Sequence, residues 1–407
     1  MQKLLRYAIW TILGVVIAGS VFAFLELKFL TRYISHTGDP LTVPISWFDP
    51  VEVVKGNKRD DIAPARQNEL TIPGNVADEV TSYAEAQQSQ GLIVMHNGAI
   101  QIEEYWGGAD RDTLFNPQSM SKTVLAMLLG VAIEEGHIES VDDPIGKYVE
   151  EWKHDNRGSA TIRQALWMAA GLEQMSTSYD INLFNRGVWY NFGDDFNAMI
   201  LDLRQVTPPG SRFEYNNEET NLLGLVIERA TGQRYASYLS EKLWRPMELE
   251  NAGMYLDRES GSVMKSCCIF SRPYDWVKLG QLVINRGVHN GTQIVPATWI
   301  DEMIHPSLNV EYYGYQIWLG SDYITLDGNR LTESNDYRAS PERYLVDDMI
   351  VFNGYGQQRV WVSPSQNLVI VRATKRWANL WIETKIPNAI LKVLIQQAKT
   401  AEIDGGR

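Results

Sequence analysis

The stretch that decides the fold reads Asn116-Pro117-Gln118-Ser119-Met120-Ser121-Lys122 and continues into an apolar run over residues 123–129. Proline is excluded from a helix interior, and the residues after it repeat apolar side chains at helical spacing. A helix should therefore begin close to Ser119. Residues three apart share one helix face, which predicts that the Ser119 hydroxyl lies beside the Lys122 amine.

This juxtaposition is typical of one kind of chemistry. A serine hydroxyl needs an adjacent base to become a nucleophile, and a lysine can be that base if its environment lowers its pKa. Burial and the positive end of a helix both lower the pKa of a lysine such as Lys122. The free N–H groups of the same helix N-terminus lie where an acyl oxyanion would form. The pattern therefore predicts acyl transfer on Ser119 without a histidine.

A second Ser-x-x-Lys spacing, Ser262 to Lys265, shows how little the spacing means alone. It leads into Ser266-Cys267-Cys268 and soon Pro273, with no amphipathic helix behind it, so the local context favours Ser119. The two cysteines of the chain, Cys267 and Cys268, are adjacent. Adjacent cysteines close a disulfide only with strain, and a metal site needs more ligands. We interpret both as structural or incidental.

Composition sets the broad class. The chain has 407 residues, of which 44% are hydrophobic and 21% are charged. This indicates a globular protein with one large domain or two interleaved ones. The net charge of −13 disfavours binding of nucleic acid or of an anionic membrane through a basic face. The six histidines are scattered, and no dinucleotide or phosphate-loop fingerprint occurs, so we expect neither a metal nor a cofactor.

The N-terminus predicts export. Lys3 and Arg6 precede an uncharged run from Tyr7 to Leu25, which is long enough to cross a bilayer as a helix. We expect residues 1–27 to form an uncleaved transmembrane anchor, with a cleaved signal segment or a buried helix as alternatives. The first two readings place the catalytic domain on the periplasmic or extracellular side, either membrane-anchored or as a cleaved secreted form.

Residues 28–74 have no sustained period and contain prolines at 40, 44, 50, 64 and 73. They predict a spacer laid on the domain surface or bridging it to the membrane. We place the catalytic domain over residues 75–402, with a helix over residues 75–88 and a hairpin turning at Asn97-Gly98. A mostly helical subdomain should cover roughly residues 136–260. Within it Tyr190 belongs to an aromatic cluster that is either core or substrate-binding surface.

A second constellation follows a proline-glycine turn and reads Tyr215-Asn216-Asn217, ahead of an apolar helix over residues 220–231. A phenol near a cationic lysine loses its proton more readily, so Tyr215 can pass a proton to a leaving group. An amide such as Asn217 can hold the lysine and a substrate carbonyl together. The alternative is a loop tyrosine followed by a turn asparagine.

The order Ser119-Met120-Ser121-Lys122, then Tyr215-Asn216-Asn217, resembles the serine β-lactamase-related family. That family includes class C β-lactamases, D-Ala-D-Ala carboxypeptidases, and related esterases and aminohexanoate-dimer hydrolases. The later Tyr313-Gly314-Tyr315-Gln316-Ile317-Trp318 most resembles the esterase and dimer-hydrolase branch. The resemblance implies an α/β fold, in which an antiparallel sheet is flanked by helices and a mostly helical subdomain completes the site.

The family's third motif, Lys-Thr-Gly or a variant of it, should correspond to Tyr355-Gly356-Gln357 on a hairpin at a sheet edge. Tyr355 stands where β-lactamases carry lysine, so a cationic anchor for a substrate carboxylate is missing. Gln357 stands where glycine is usual and is expected to narrow the approach of a substrate backbone. The resemblance implies that Tyr355 and Gly356 line the site. It also implies that the Gln358 backbone N–H completes the oxyanion hole with that of Ser119.

The sequence therefore predicts a serine hydrolase that cleaves a small-molecule ester or amide through an acyl-enzyme on Ser119. Lys122 and Tyr215 would act as general bases and acids, and Asn217 would position the substrate. One alternative is a peptidoglycan-directed D-amino-acid peptidase or β-lactamase, which the tyrosine at position 355 disfavours. The other is a non-catalytic penicillin-binding-like sensor, which the retention of all three groups disfavours.

Overall fold

The computed structural model describes residues 3, 6–7, 9–14, 27–36, 39, 41–175, 185–320, 342–378 and 380–405. In this part of the chain no helix is long and apolar enough to cross a membrane. Residues 15–25 of the predicted anchor lie outside the described residues. Membrane attachment and export therefore stay predictions from the sequence.

The described residues form strands that are antiparallel wherever they pair. They are β1 Val51–Val54, β2 Ser89–His96, β3 Ala99–Tyr105, β4 Ala252–Tyr255, β5 Ile269–Phe270, β6 Val288–His289, β7 Thr292–Gln293, β8 Trp318–Leu319, β9 Ile350–Gly354, β10 Gln358–Ser363 and β11 Leu368–Thr374. The central sheet has the order β3-β2-β11-β10-β9-β8. A second sheet has the order β1-β4-β5, and β6 pairs with β7.

The helices surround the central sheet. They are α1 Leu27–Ser35, α2 Gly74–Ala86, α3 Ser121–Glu134, α4 Ile162–Leu166, α5 Arg186–Phe192, α6 Phe196–Leu201, α7 Asn217–Thr231, α8 Tyr235–Leu239, α9 Pro273–Ile284, α10 Ala297–Met303 and α11 Lys385–Gly405. A turn of 3₁₀ helix, Gln118–Met120, directly precedes α3. Helix α9 packs on strands β2, β10 and β11, while α2 packs on β2 and on α11. Helices α4 to α8 lie in the predicted helical subdomain.

The strands alternate between two cores, as the period of two in a strand requires. In β10, Val360 and Val362 belong to the core that contains α3, α7 and α9. Trp361 faces the other way and packs in the core that contains α2 and α11. The central sheet is therefore covered on both faces. The predicted antiparallel sheet flanked by helices is confirmed.

Helix α3 is buried on all sides. Every residue from position 121 to 132 is buried, as expected of a helix that is apolar around its whole circumference. Helix α10 approaches it closely at Gly130, where an added Cβ would lie 2.1 Å from Cδ1 of Trp299. The indole N–H of Trp299 also donates to the carbonyl of Ala126 at 2.8 Å. This packing fixes the helix that begins just after Ser119.

The segment predicted to be a spacer is an integral layer of the fold. Val51 in β1 pairs with Tyr255 in β4, and Phe29 in α1 stacks on Trp189 in α5 with ring centroids 4.1 Å apart. The buried guanidinium of Arg32 donates to three backbone carbonyls at 2.9 to 3.2 Å. The spacer prediction was wrong here because the apolar contacts of this segment lie far away in sequence and leave no local period.

One smaller prediction is corrected and two are confirmed. The helix α2 and the turn at Asn97-Gly98 are present as predicted. The hairpin formed by β10 and β11 lies inside the central sheet rather than at its edge, because β9 and β8 extend the sheet beyond it.

A buried ion network lies between the sheet and α11. The Nε of Arg359 lies 2.7 Å from Oε1 of Glu383, and both side chains are almost fully buried. The guanidinium of Arg372 lies 4.2 Å from the ring of Trp381. Burial and the neighbouring Arg359 lower the pKa of Arg372 to about 9. Glu383 therefore neutralises charge in a place where water cannot do so.

We expect Glu383→Gln to lower the free energy of unfolding by about 3–5 kcal/mol, because removing one partner leaves a buried charge uncompensated. Urea unfolding monitored by tryptophan fluorescence would measure the change. The matched control is Glu79→Gln, which removes an exposed pair with Lys385 at 2.6 Å and should cost no more than about 1 kcal/mol. Equal losses in the two variants would contradict the prediction.

Candidate active site

The turn before α3 presents Ser119. Gln118 has a φ of +52°, which residues other than glycine rarely adopt, and its N–H donates to Oδ1 of Asn116 at 3.0 Å. The side chains of Gln118 and Met120 are buried, whereas Ser119 between them is partly exposed. The hydroxyl of Ser119 is therefore held at the start of a rigid helix and is accessible to a ligand.

The Lys122 amine is surrounded by three oxygen atoms. Its Nζ lies 3.1 Å from Oγ of Ser119, 2.6 Å from Oδ1 of Asn217 and 2.7 Å from the backbone oxygen of Ser266. The lysine side chain is only 1% exposed. Burial lowers the pKa of Lys122 to about 7, although the negative charge of Glu218 acts in the opposite direction.

The three oxygen atoms are not equivalent. The amide oxygen of Asn217 and the carbonyl of Ser266 can only accept hydrogen bonds, whereas a hydroxyl can donate or accept. A neutral amine donates its two protons to these two acceptors, which leaves its lone pair for the hydroxyl proton of Ser119. The contact of 3.1 Å can therefore reverse its direction when the lysine loses its charge. This is the geometry of a general base beside its nucleophile.

Helix α7 fixes both acceptors. Asn217 is its first residue, and the side chain of Asn216 caps the helix by accepting two N–H groups of the first turn at 2.8 and 3.2 Å. One turn further on, Oδ1 of Asn221 accepts the N–H groups of Lys265 and Ser266 at 2.7 and 3.1 Å. The helix thus supplies one acceptor directly and orients the backbone that carries the other.

Tyr215 lies beside the same amine. The centre of its ring is 5.3 Å from Nζ of Lys122, and the ring packs against Trp318 at 5.5 Å. The amide of Gln174 donates to the Tyr215 carbonyl at 2.6 Å. Ser119, Lys122 and Tyr215 therefore come together, although Tyr215 is about a hundred residues away from the other two in the sequence. The role of the Tyr215 hydroxyl stays a prediction.

The third motif approaches the nucleophile turn closely. A Cβ on Gly354 would lie 2.3 Å from the carbonyl oxygen of Pro117, so only glycine allows this packing of β9. The next residue, Tyr355, keeps 38% of its surface exposed. Gly356 has a φ of +74° and packs against the side chain of Leu41. The Gln358 side chain is fully buried, and the use of its backbone N–H as an oxyanion donor stays a prediction.

Two predicted contributions to the site need correction. Gln357 does not narrow the cleft, because its side chain is 1% exposed and hydrogen-bonds the backbone of Ala378. Tyr190 does not lie on a substrate-binding surface, because it is also 1% exposed and its hydroxyl accepts a hydrogen bond from the amide of Asn221. This hydrogen bond helps to hold the side chain of Asn221 in place.

Sequence reasoning missed the segment around Ser266. The lysine of the second Ser-x-x-Lys spacing, Lys265, is buried and lies 3.1 Å from Oε2 of Glu228, so it has a structural role. The next residue gives its carbonyl to Lys122. Cys267 and Cys268 then form a disulfide, so they are structural rather than free thiols. No local pattern marks a carbonyl as part of a site, which is why Ser266 escaped notice.

One group of side chains has the composition of a metal site. The ligand atoms of Asp61, Glu248 and His289 lie within 4.8 Å of one another. The ammonium of Lys278 lies 3.1 Å from Oδ1 of Asp61, so a buried cation already balances this carboxylate. We therefore give this group no catalytic interpretation.

Residues 76–267 match the Beta-lactamase family model. The 6-aminohexanoate-dimer hydrolase of Paenarthrobacter ureafaciens is 22% identical over 225 residues, which is 53% of this chain and 57% of that protein. The chain thus matches little more than half of that relative's length.

Solved structures extend the similarity over the domain. A Bacillus anthracis protein provisionally named 6-aminohexanoate-dimer hydrolase superposes with a TM-score of 0.68 at 22% identity, covering 90% of this chain and 96% of its own. EstCE1, a hydrolase with promiscuous acyltransferase activity, superposes with a TM-score of 0.59 at 15% identity, covering 79% of this chain and 97% of its own. These matches confirm the predicted α/β fold. Residues 76–267 of this chain are thus similar to the beta-lactamase family.

Proposed function

We propose that the protein is a serine hydrolase that cleaves a small ester or amide through an acyl-enzyme on Ser119. The observation that carries the proposal is the position of the Lys122 amine, which has two fixed acceptors and directs its third contact to the Ser119 hydroxyl at 3.1 Å. The similarity to a dimer hydrolase and to the hydrolase EstCE1 supports the same class of reaction.

In the first half of the reaction, Oγ of Ser119 forms a bond with the carbonyl carbon while its proton passes to Nζ of Lys122. The ammonium that results donates to Asn217 and to the Ser266 carbonyl, so the new charge is stabilised where it forms. The backbone N–H groups of Ser119 and Gln358 hold the oxyanion. The bond to the leaving group then breaks, and Tyr215 passes it a proton.

In the second half, water attacks the acyl ester of Ser119. The Tyr215 phenolate left by the first half removes a proton from that water. Collapse of the second tetrahedral intermediate releases the acid, and Tyr215 returns this proton to Oγ of Ser119. Lys122, whose amine lies 5.3 Å from the centre of the Tyr215 ring, then passes its own proton to the phenolate, which restores the starting state. In both halves of the reaction, Asn217 binds Lys122 and the substrate carbonyl and so keeps them in position.

We expect Ser119→Ala to abolish labelling by a fluorophosphonate probe and to reduce hydrolysis of p-nitrophenyl acetate at least ~10³-fold, because the nucleophile is lost. Intact-mass spectrometry would measure the labelling. Ser262→Ala is the matched control, since it removes the serine of the other Ser-x-x-Lys spacing. That variant should label like the unmodified protein. Labelling that persists without Ser119 would refute the proposed nucleophile.

The proposal also fixes a pH dependence. The base must be neutral, and the pKa of Lys122 is lowered to about 7. The value of kcat/KM should therefore be constant above about pH 7 and fall about tenfold per pH unit below it. This falling part is the acid limb of the profile. Lys122→Arg should abolish the activity, because a guanidinium stays protonated. A profile that is flat from pH 5 to pH 9 would contradict the assignment of the base.

Glu218→Gln tests the electrostatics behind this limb. Glu218 is fully buried, and its negative charge stabilises the protonated amine, so its removal should move the acid limb to lower pH. The control is Glu219→Gln. Burial raises the pKa of Glu219 to about 8, so the group is largely neutral near pH 7 and its replacement should leave the limb in place. A limb that moves only in the control variant would overturn this account.

A further inference from the structure

Two consecutive glutamines bind the backbone at the end of β11 and just after it. The side-chain amide of Gln357 donates to the carbonyl of Ala378 at 3.0 Å and accepts its N–H at 3.1 Å. The amide of Gln358 makes the same pair of bonds with Thr374, at 2.7 and 2.9 Å. We call these four bonds the glutamine clamp. Because both amides are buried, the clamp holds residues 374–378 as a fixed loop.

The clamped loop carries Trp377 to the third motif. The ring of Trp377 meets that of Tyr355 edge to face, with centroids 4.9 Å apart and planes at 87°. Trp377 is half-buried, and Tyr355 keeps 38% of its surface exposed. Each ring therefore packs against the other ring and leaves part of its own surface open to a ligand.

The backbone next to Tyr355 packs against the turn that carries the nucleophile. Gly354, directly before Tyr355, is packed against the carbonyl of Pro117, which lies two residues before Ser119. On the other side of the motif, the apolar side chain of Leu41 covers Gly356. Tyr355 thus has an aromatic neighbour in Trp377, and an aliphatic side chain covers the next residue, at the place where β-lactamases carry a lysine. Burial and the carboxylate of Asp39 both raise the pKa of Tyr355, so the nearby charge is negative.

We propose that Trp377 is a specificity-determining residue, which forms with Tyr355 an aromatic wall that selects substrates bearing an uncharged, apolar group over substrates bearing a carboxylate. This inference rests on the proposed hydrolase function and names its substrate class.

The physical reason lies in desolvation. An apolar group gains free energy when it leaves water and contacts two aromatic rings. A carboxylate in the same place would lose its hydration without an opposite charge to replace it. The cations of the clamped loop, Lys375 and Arg376, have exposed side chains. They are not buried with the two rings.

Two esters with acyl chains of equal length test the wall, namely p-nitrophenyl hexanoate and mono-p-nitrophenyl adipate, which ends in a carboxylate. Trp377→Ala should reduce kcat/KM for the hexanoate about tenfold, mainly through KM, and leave the adipate unchanged. Tyr355→Lys should raise kcat/KM for the adipate about tenfold. Gln357→Gly should act like Trp377→Ala but more weakly, because glycine tolerates the φ of +67° and only the clamp is lost.

The matched control is Trp167→Ala. Trp167 lines a separate cavity of about 220 Å³ with Arg163 and Glu302, so its loss should not change the ratio of the two kcat/KM values. The proposal would be refuted if the ratio of kcat/KM for the hexanoate to that for the adipate stayed within about twofold of the unmodified protein in both Trp377→Ala and Tyr355→Lys. Loss of adipate turnover in Arg376→Ala would also overturn it, because the loop would then supply a cationic anchor.

The rate of fluorophosphonate labelling separates the two levels of the proposal. An unmodified protein that does not label refutes the hydrolase function itself. A protein that labels normally but shows no change of ratio refutes only the role of Trp377. Where Trp377→Ala folds poorly and does not label, Trp377→Leu and Tyr355→Lys decide the question. Trp377→Leu keeps an apolar side chain but removes the aromatic edge, so an unchanged ratio in both of these variants would count against the wall.

Discussion

The structure depends on one amine that is kept away from water. Lys122 is buried at the start of α3, and two acceptors that cannot donate take up its protons. In this setting the neutral form of the lysine costs little, and its lone pair can accept the hydroxyl proton of Ser119. The rest of the domain supplies the conditions for that state. Helix α3 excludes water from one side, and α7 orients the acceptors on the other.

The sheet side of the site is held by charges that do no chemistry themselves. Arg359 donates to the carbonyls of Gly354 and Gln358 at 2.9 Å, and Arg372 donates to that of Gln357 at 2.7 Å. Three carbonyls of the motif are thus turned toward the core. Because buried guanidinium groups bind these carbonyls, the backbone of this turn is held in one conformation. The ion network between the sheet and α11 therefore contributes to the site as well as to stability.

The predictable parts of this protein are those with local causes. A proline ahead of an apolar run located the turn at Ser119, and the Asn97-Gly98 pair located the first hairpin. Spacing of three along one helix gave the contact between Ser119 and Lys122.

The parts that escaped prediction have causes far away in the sequence. The carbonyl of Ser266 became an acceptor through Asn221, which belongs to another element. Gln357 turned inward because a backbone partner, Ala378, was available across the sheet. The sequence left Tyr190 as either core or substrate-binding surface, and in the structure it is a buried support. Such residues respond to tertiary contacts, and neither period nor propensity records them.

The packing of α1 bears on how the domain is bounded. Phe29 stacks on Trp189 of α5, and the Arg32 guanidinium ties together loops that close the second sheet. A recombinant truncation that began downstream of this helix would uncover an aromatic surface and leave several carbonyls without donors. The autonomous unit is thus longer at its amino-terminal end than the family-matched region, and expression boundaries belong upstream of Leu27.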